Sequence, residues 1–170
     1  MKLMTFSSGT DERVGVVDLD RGVVRDVTGQ IEGGLAGAIE SWATVGPLLA
    51  RAADAATEFP LAQGRALAPI PRPRRNIFAV GKNYRDHVAE FGRSGYDTPD
   101  RSQELPAKPV YFTKATTTVT GPFDDVDPHK GVTSELDYEG ELGVIIGPVA
   151  VASPVTARWS TSGVTRSSTM

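Results

Sequence analysis

The 170 residues carry 18 Lys and Arg against 21 Asp and Glu, a net charge of −3, with 39% hydrophobic residues and no cysteine. That balance gives no electrostatic reason to bind nucleic acid or an anionic membrane, and the lack of thiols excludes disulfides, thiolate zinc sites and a cysteine nucleophile. No apolar run approaches the roughly 20 residues that span a bilayer and the N-terminus lacks the apolar centre of a secretion signal, so a cytoplasmic protein is expected, of one domain or one small domain plus part of another.

Residues 2–6, 13–19 and 22–27 read as short strands, with Val14, Val16, Val17, Val23, Val24 and Val27 supplying β-branched side chains. Asp18-Leu-Asp-Arg-Gly22 is a turn between two of them. Residues 35–56 read as helical, with Leu35, Ile39, Trp42, Leu48 and Leu49 as apolar positions. Gly46-Pro47 interrupts the pattern and predicts two short helices. Residues 1–60 thus form a small β/α domain with no catalytic constellation, suited to docking or dimerisation. Residues 61–75 form a linker, in which Pro69, Pro71 and Pro73 alternate with Arg72, Arg74 and Arg75 in an extended approach to the next domain.

Asn76–Val80 is a compact apolar strand, broken at Gly81-Lys82-Asn83-Tyr84, and a helical turn follows over Asp86–Phe91. Residues 92–107 are rich in Gly, Ser, Pro and Asp and form a candidate lid. Pro109–Thr113 is a further strand, and residues 121–133 are turn-rich. The segment from Ser134 to Gly147 is the most telling. Alternation along a strand places Glu135, Asp137, Glu139 and Glu141 on one face, about 7 Å apart. Leu136, Tyr138 and Leu142 take the other face, and the strand runs into Val144-Ile145-Ile146, which is expected to be buried. Each like-charged neighbour pair costs roughly 2 kcal/mol at an effective dielectric of about 20. No Lys or Arg lies within the segment, and a hard divalent cation with oxygen ligands would offset the charge. A solvent-facing strand edge explains the same pattern.

From Pro148 the composition changes. The 23 residues to Met170 hold no Asp, Glu or Lys, and nine are Ser or Thr. This predicts an aberrant, disordered tail. A frameshift near residue 147 accounts for it equally. One shifted reading of a GC-rich back-translation yields an amphipathic helix and an apolar strand ending in Asn-Asp. His87 and Glu90, three apart, are neighbours on a helical turn, where a carboxylate orients an imidazole and raises its basicity. By themselves they make either a surface ion pair or a general base that activates water. His129 lies in a turn beside Asp127 and is read as a surface residue.

Three blocks together resemble the fumarylacetoacetate hydrolase family. Phe78–Glu90 is similar to its Gly-x-Asn-Tyr-x-x-His-x-x-Glu block, Pro109–Lys114 to its Pro-x-x-Phe-x-Lys strand, and Asp137–Gly147 to its metal-binding strand. Ala115 departs from the pattern, where the family usually has Pro, with a small expected effect on the loop. The resemblance covers residues 76–147, and the first domain resembles the small domain preceding the catalytic one in bacterial members related to hydroxymuconate and heptadiene-dioate isomerases. It implies an α+β protein, mainly β, with a mixed-sheet catalytic fold that is incomplete over 76–147. It implies Glu139 and Glu141 as metal ligands, with Asp137 and Glu135 supporting or solvated, and a third carboxylate, an Asp, further along a full-length member. Oxygen-only ligands favour Mg²⁺, with Mn²⁺ or Ca²⁺ as substitutes. It implies His87 and Glu90 as the catalytic base pair, and Lys82 and Lys114 as substrate-binding or structural. The activity implied is hydrolysis of a C–C bond in an acylpyruvate-type 2-oxo acid. Isomerisation or decarboxylation of a hydroxymuconate-like or 2-oxo diacid in aromatic catabolism suits the same site. Full-length relatives are expected to be homodimers. This chain, short of the third ligand, is expected to be an inactive fragment, or a non-catalytic binding fragment.

Overall fold

The computed structural model describes residues 1–86, 108–134, 136, 138–147 and, as backbone, 162–169. The architecture is α+β, with strands more extensive than helices. The chain divides into two compact units, residues 1–71 with 120–170, and residues 72–119.

The first unit is built on an antiparallel five-stranded sheet. Its strands are β1 (Leu3–Ser8), β2 (Asp11–Asp18), β3 (Val23–Asp26), β4 (Glu58–Pro60) and β5 (Arg65–Ala66), in the order β4-β3-β2-β1-β5. A two-residue turn joins β1 to β2, with Ser8 opposite Asp11. Gly9 there has φ 67°, the left-handed region that such hairpin turns require. Between β2 and β3, Asp18 Oδ1 accepts the Arg21 amide at 3.1 Å, so the predicted turn forms by an Asx-type bond.

Alternation along β2 gives the sheet two buried faces. Val14, on one of them, packs with Val27 and with Leu35, Leu49 and Ala53 of the helical layer. On the other, Phe6 is fully buried and meets Phe59 with ring centroids 5.8 Å apart. Gly15 permits that packing. A side-chain carbon there would lie 2.1 Å from Val24 Cγ2 and 3.1 Å from the Phe6 ring. Full burial of Phe6, Leu49, Val24 and Val27 stabilises the unit by about 1.5–3 kcal/mol each.

The helices are α1 (Gly34–Glu40) and α2 (Trp42–Ala52). Two helices were expected from Gly46-Pro47, but the break falls at Ser41, whose hydroxyl donates to the Gly37 carbonyl at 2.8 Å. Pro47 lies inside α2. It removes one backbone bond, while Leu49 and the following Ala53 remain buried in the core and hold the helix across it.

The predicted linker also begins later than expected. Residues 61–70 are docked on the sheet: Arg65 and Ala66 pair with Ser7 and Phe6, the Leu67 amide donates to the Thr5 carbonyl at 2.9 Å, and the Thr5 hydroxyl donates to the Pro69 carbonyl at 2.7 Å. Backbone pairing and burial of Ala68 override the proline-rich composition.

A polar cluster closes the sheet edge. Arg13 donates to Asp26 Oδ2 at 2.6 Å and lies over the Phe59 ring. Asp26 Oδ1 accepts the Thr28 hydroxyl at 2.6 Å and its amide at 2.9 Å. Burial pushes the Asp26 carboxyl up, but the Thr28 bonds and the Arg13 guanidinium outweigh it and hold the group below the usual carboxylate range. Glu58 is gripped by Arg21 and Arg25, which hold its carboxyl low as well.

In the second unit, β6 (Ile77–Gly81) pairs antiparallel with β7 (Val110–Lys114), from Ile77 opposite Lys114 to Gly81 opposite Val110. Both strands lie within a residue of their predicted positions. Ala79 is buried, whereas Phe78 and Tyr111 are 73% and 64% exposed, so among the described residues this ribbon carries apolar side chains that are largely uncovered. Ala115 adopts φ −65°, ψ 152°. That φ is the value a proline ring imposes, so a proline at this position would be compatible with the backbone seen here.

After residue 120 the chain forms β8 (Glu139–Ile146), antiparallel to β9 (Ser162–Thr169). The disorder expected over 148–170 does not hold for Ser162–Thr169. Backbone hydrogen bonding to β8 recruits a Ser/Thr-rich segment into a ladder, which side-chain composition alone did not indicate. No helix among the described residues is long and apolar enough to cross a membrane.

Candidate metal centre

β8 supplies the candidate ligands. Glu139 and Glu141 are two apart on an eight-residue strand, so both leave the same face, about 7 Å apart at the backbone. Gly140 between them adds no side chain. Glu139 is exposed and Glu141 half-buried. Two long carboxylates at that spacing can converge on one cation, and their all-oxygen chemistry suits Mg²⁺ or Ca²⁺. Glu135 and Asp137, predicted on the same face, lie outside the described residues.

The opposite face of β8 corrects an expectation. Val144 and Ile146 were predicted to be buried, but they are 50% and 66% exposed, beside Leu142 at 55%. Among the described residues the strand pairs only with β9, and a two-stranded ribbon has no second layer to cover its apolar side. The residues in register with Glu139 and Glu141 are Thr169 and Ser167, neither of them a carboxylate. No Asp or Glu follows Glu141 in the sequence. Among the described residues, no three His, Cys, Asp or Glu side chains gather as a metal site. The two glutamates are therefore a pair without a described third ligand.

The predicted base pair, His87 and Glu90, and the predicted lid at 92–107 lie outside the described residues. The two candidate substrate lysines are described. Lys82 follows Gly81 at one end of the β6–β7 ladder, and Lys114 closes the other end opposite Ile77. Five residues of strand separate them, about 16 Å, so the ladder does not bring them to one small ligand by their backbone positions. Lys82 has φ 54°, an uncommon left-handed conformation for a side-chain-bearing residue and one that clusters at functional sites. Sequence pattern gave no sign of it beyond the break after Val80. His129, read as a surface residue, is exposed. Its amide donates to Asp127 Oδ1 at 2.8 Å.

Residues 76–165 match the family described as fumarylacetoacetate (FAA) hydrolase, C-terminal. The chain belongs to this family. The match begins where the Gly-Lys-Asn-Tyr strand begins and includes both glutamates of β8. Three relatives illustrate its place. An oxaloacetate tautomerase, YisK, of Bacillus subtilis is 47% identical over 89 residues, covering 52% of this chain and 27% of that protein. A putative hydrolase of Burkholderia ambifaria is 38% identical over 149 residues, covering 86% of this chain and 47% of that protein. An uncharacterised protein of Staphylococcus haemolyticus is 39% identical over 79 residues, covering 46% of this chain and 23% of that protein. The chain thus spans less than half the length of these curated relatives. The long Burkholderia alignment reaches well beyond the 90-residue family match. The family's members named here carry tautomerase and hydrolase names, and the chain shares sequence with them.

Proposed function

We propose that the protein belongs to a divalent-metal-dependent enzyme acting on a small 2-oxo acid, with hydrolysis of a C–C bond in an acylpyruvate-type substrate as its reaction. The observation that carries this is the pair Glu139 and Glu141 on one face of β8, within the family match. Glu139 and Glu141 would hold the Mg²⁺, which supplies Lewis-acid stabilisation of negative charge developing on the substrate's 2-oxo oxygen. His87 would take a proton from water and Glu90 would orient the imidazole and stabilise its charged form. Lys82 or Lys114 meets the substrate carboxylate.

A second reading is keto–enol isomerisation of an oxaloacetate-like diacid. It is favoured by the 47% identity to the Bacillus subtilis tautomerase. That reaction needs a proton moved between carbon and oxygen, with His87 as the carrier, and no attack by water. The 170-residue chain by itself is proposed to be inactive, because it contributes two acidic ligands and no acid beyond Glu141.

The test offers oxaloacetate and an acylpyruvate to this chain and to a version extended from the genomic DNA to the relatives' length, each with and without Mg²⁺. The expected result is no turnover by the chain, and Mg²⁺-dependent turnover by the extended protein. Release of pyruvate and a carboxylic acid from the acylpyruvate marks hydrolysis, release of pyruvate and carbon dioxide from oxaloacetate marks decarboxylation, and a change of enol absorbance without a change of mass marks isomerisation. Turnover by the extended protein that survives chelation overturns the metal reading. Turnover by the 170-residue chain overturns its inactivity. Sequencing the DNA across codon 147 decides whether the residues beyond it stand in the original frame.

A further inference from the structure

We propose that Arg65 and Asp124 form a clasp that fastens the segment beginning at Thr120 to the edge strand β5 of the N-terminal sheet. Arg65 Nη2 pairs with Asp124 Oδ1 across 59 positions of sequence. The Asp124 end is prepared for the contact. Asp124 Oδ2 accepts the Gly121 amide at 2.7 Å and the Thr120 hydroxyl at 2.9 Å, and the Asp124 amide donates back to the Gly121 carbonyl at 3.2 Å. Gly121 is buried, and a side-chain carbon there would lie 2.9 Å from Asp124 Oδ2. A larger residue at that position would push the carboxylate out of this placement. These bonds, the Gly121 amide foremost, keep the Asp124 carboxyl below its usual range, so it stays charged at ordinary pH.

The other end needs the help. β5 has two residues and pairs with β1 at Phe6–Ala66 and Ser7–Arg65, with the bonds of Leu67 and Pro69 to Thr5 lying just beyond it. A two-residue edge strand gains little from its backbone, and a turn without a core gains little from its own. The ion pair secures both, so coupling between them is reciprocal: whatever Arg65 contributes to the turn, Asp124 contributes to the edge strand. The clasp does not depend on the metal reading, since neither residue is a candidate ligand.

The test is amide hydrogen exchange on the full 170-residue chain, read residue by residue. Arg65→Gln is expected to speed exchange at Gly121 and Asp124 about threefold, the factor that an exposed ion pair supports. The side chains are 58% and 36% exposed. Asp124→Asn is expected to speed exchange at Leu67, just beyond β5, by a similar factor. Arg65→Lys, which keeps the charge, is expected to restore most of the protection. Salt at 1 M, where the screening length falls to about 3 Å, is expected to mimic Arg65→Gln. Unchanged exchange at Gly121 and Asp124 in Arg65→Gln overturns the proposal, because the turn is then local. Should Arg65→Gln fail to fold, Asp124→Asn decides alone, and unchanged exchange at Leu67 overturns it.

Discussion

Replacing Glu141 by Gln tests the electrostatics of β8 through a change of sign. Glu139 and Glu141 leave one face of the strand at about 7 Å, and two unit charges at that distance repel by about 2 kcal/mol at an effective dielectric of 20. Glu139 is exposed and Glu141 half-buried, so solvent screening lowers the effect to about 1 kcal/mol or less. In metal-free buffer the glutamine variant is therefore expected to hold β8 more firmly, with amide exchange at Val144 and Ile145 slowed up to about fivefold. Magnesium should reverse the order. A cation held between the two carboxylates at ten times its dissociation constant stabilises the original chain by about 1.4 kcal/mol, and the variant gains little. The assay is exchange at the β8 amides by NMR across a Mg²⁺ titration, with EDTA as the zero point. Faster exchange in the variant under EDTA, or equal protection of both chains by Mg²⁺, would refute the reasoning.

Other outcomes follow from the packed first unit. Phe6→Ala removes a fully buried ring and should cost about 3–5 kcal/mol in denaturant unfolding. Gly15→Ala places a carbon 2.1 Å from Val24 Cγ2 and should lower stability by about 1–3 kcal/mol, visible as a lowered Tm. The Asp26 carboxyl is held below its ordinary value, so its stabilising effect is complete above the unfolded pKa, about 3.9. That effect is lost as pH falls through the lower folded value. Asp26→Asn should weaken the unit at neutral pH and flatten this acid-side decline in urea midpoints measured from pH 6 to pH 2.

The contrast between the two parts of the chain explains what was legible. Val14, Val16 and Val24 alternate or cluster with β-branched neighbours, and the strands they predict form within a few residues of their places. Local pattern suffices there because hairpins between consecutive strands need only near neighbours. The helix break at Ser41 was not legible. Pro47 carries the strongest local signal, yet packing of Leu49 and Ala53 decides the outcome. The docking of residues 61–70 was missed for the same reason. Their partners, Thr5, Phe6 and Ser7, lie about sixty residues away in sequence.

Sequence alone determined the family and the candidate ligands, because Gly-Lys-Asn-Tyr, Pro-Val-Tyr-Phe-Thr-Lys and Asp-Tyr-Glu-Gly-Glu are local patterns whose order survives without a fold. It also placed Glu139 and Glu141 on one face, since the period of a strand is a property of the backbone. Only the tertiary structure decided what surrounds them. It shows Val144 and Ile146 exposed where burial was expected, Ser162–Thr169 recruited as the partner strand, and Lys82 and Lys114 at opposite ends of one ladder. Periodicity says which way a side chain points. Whether anything covers it, or meets it, depends on segments distant in sequence, and those contacts are written in the fold rather than in the pattern.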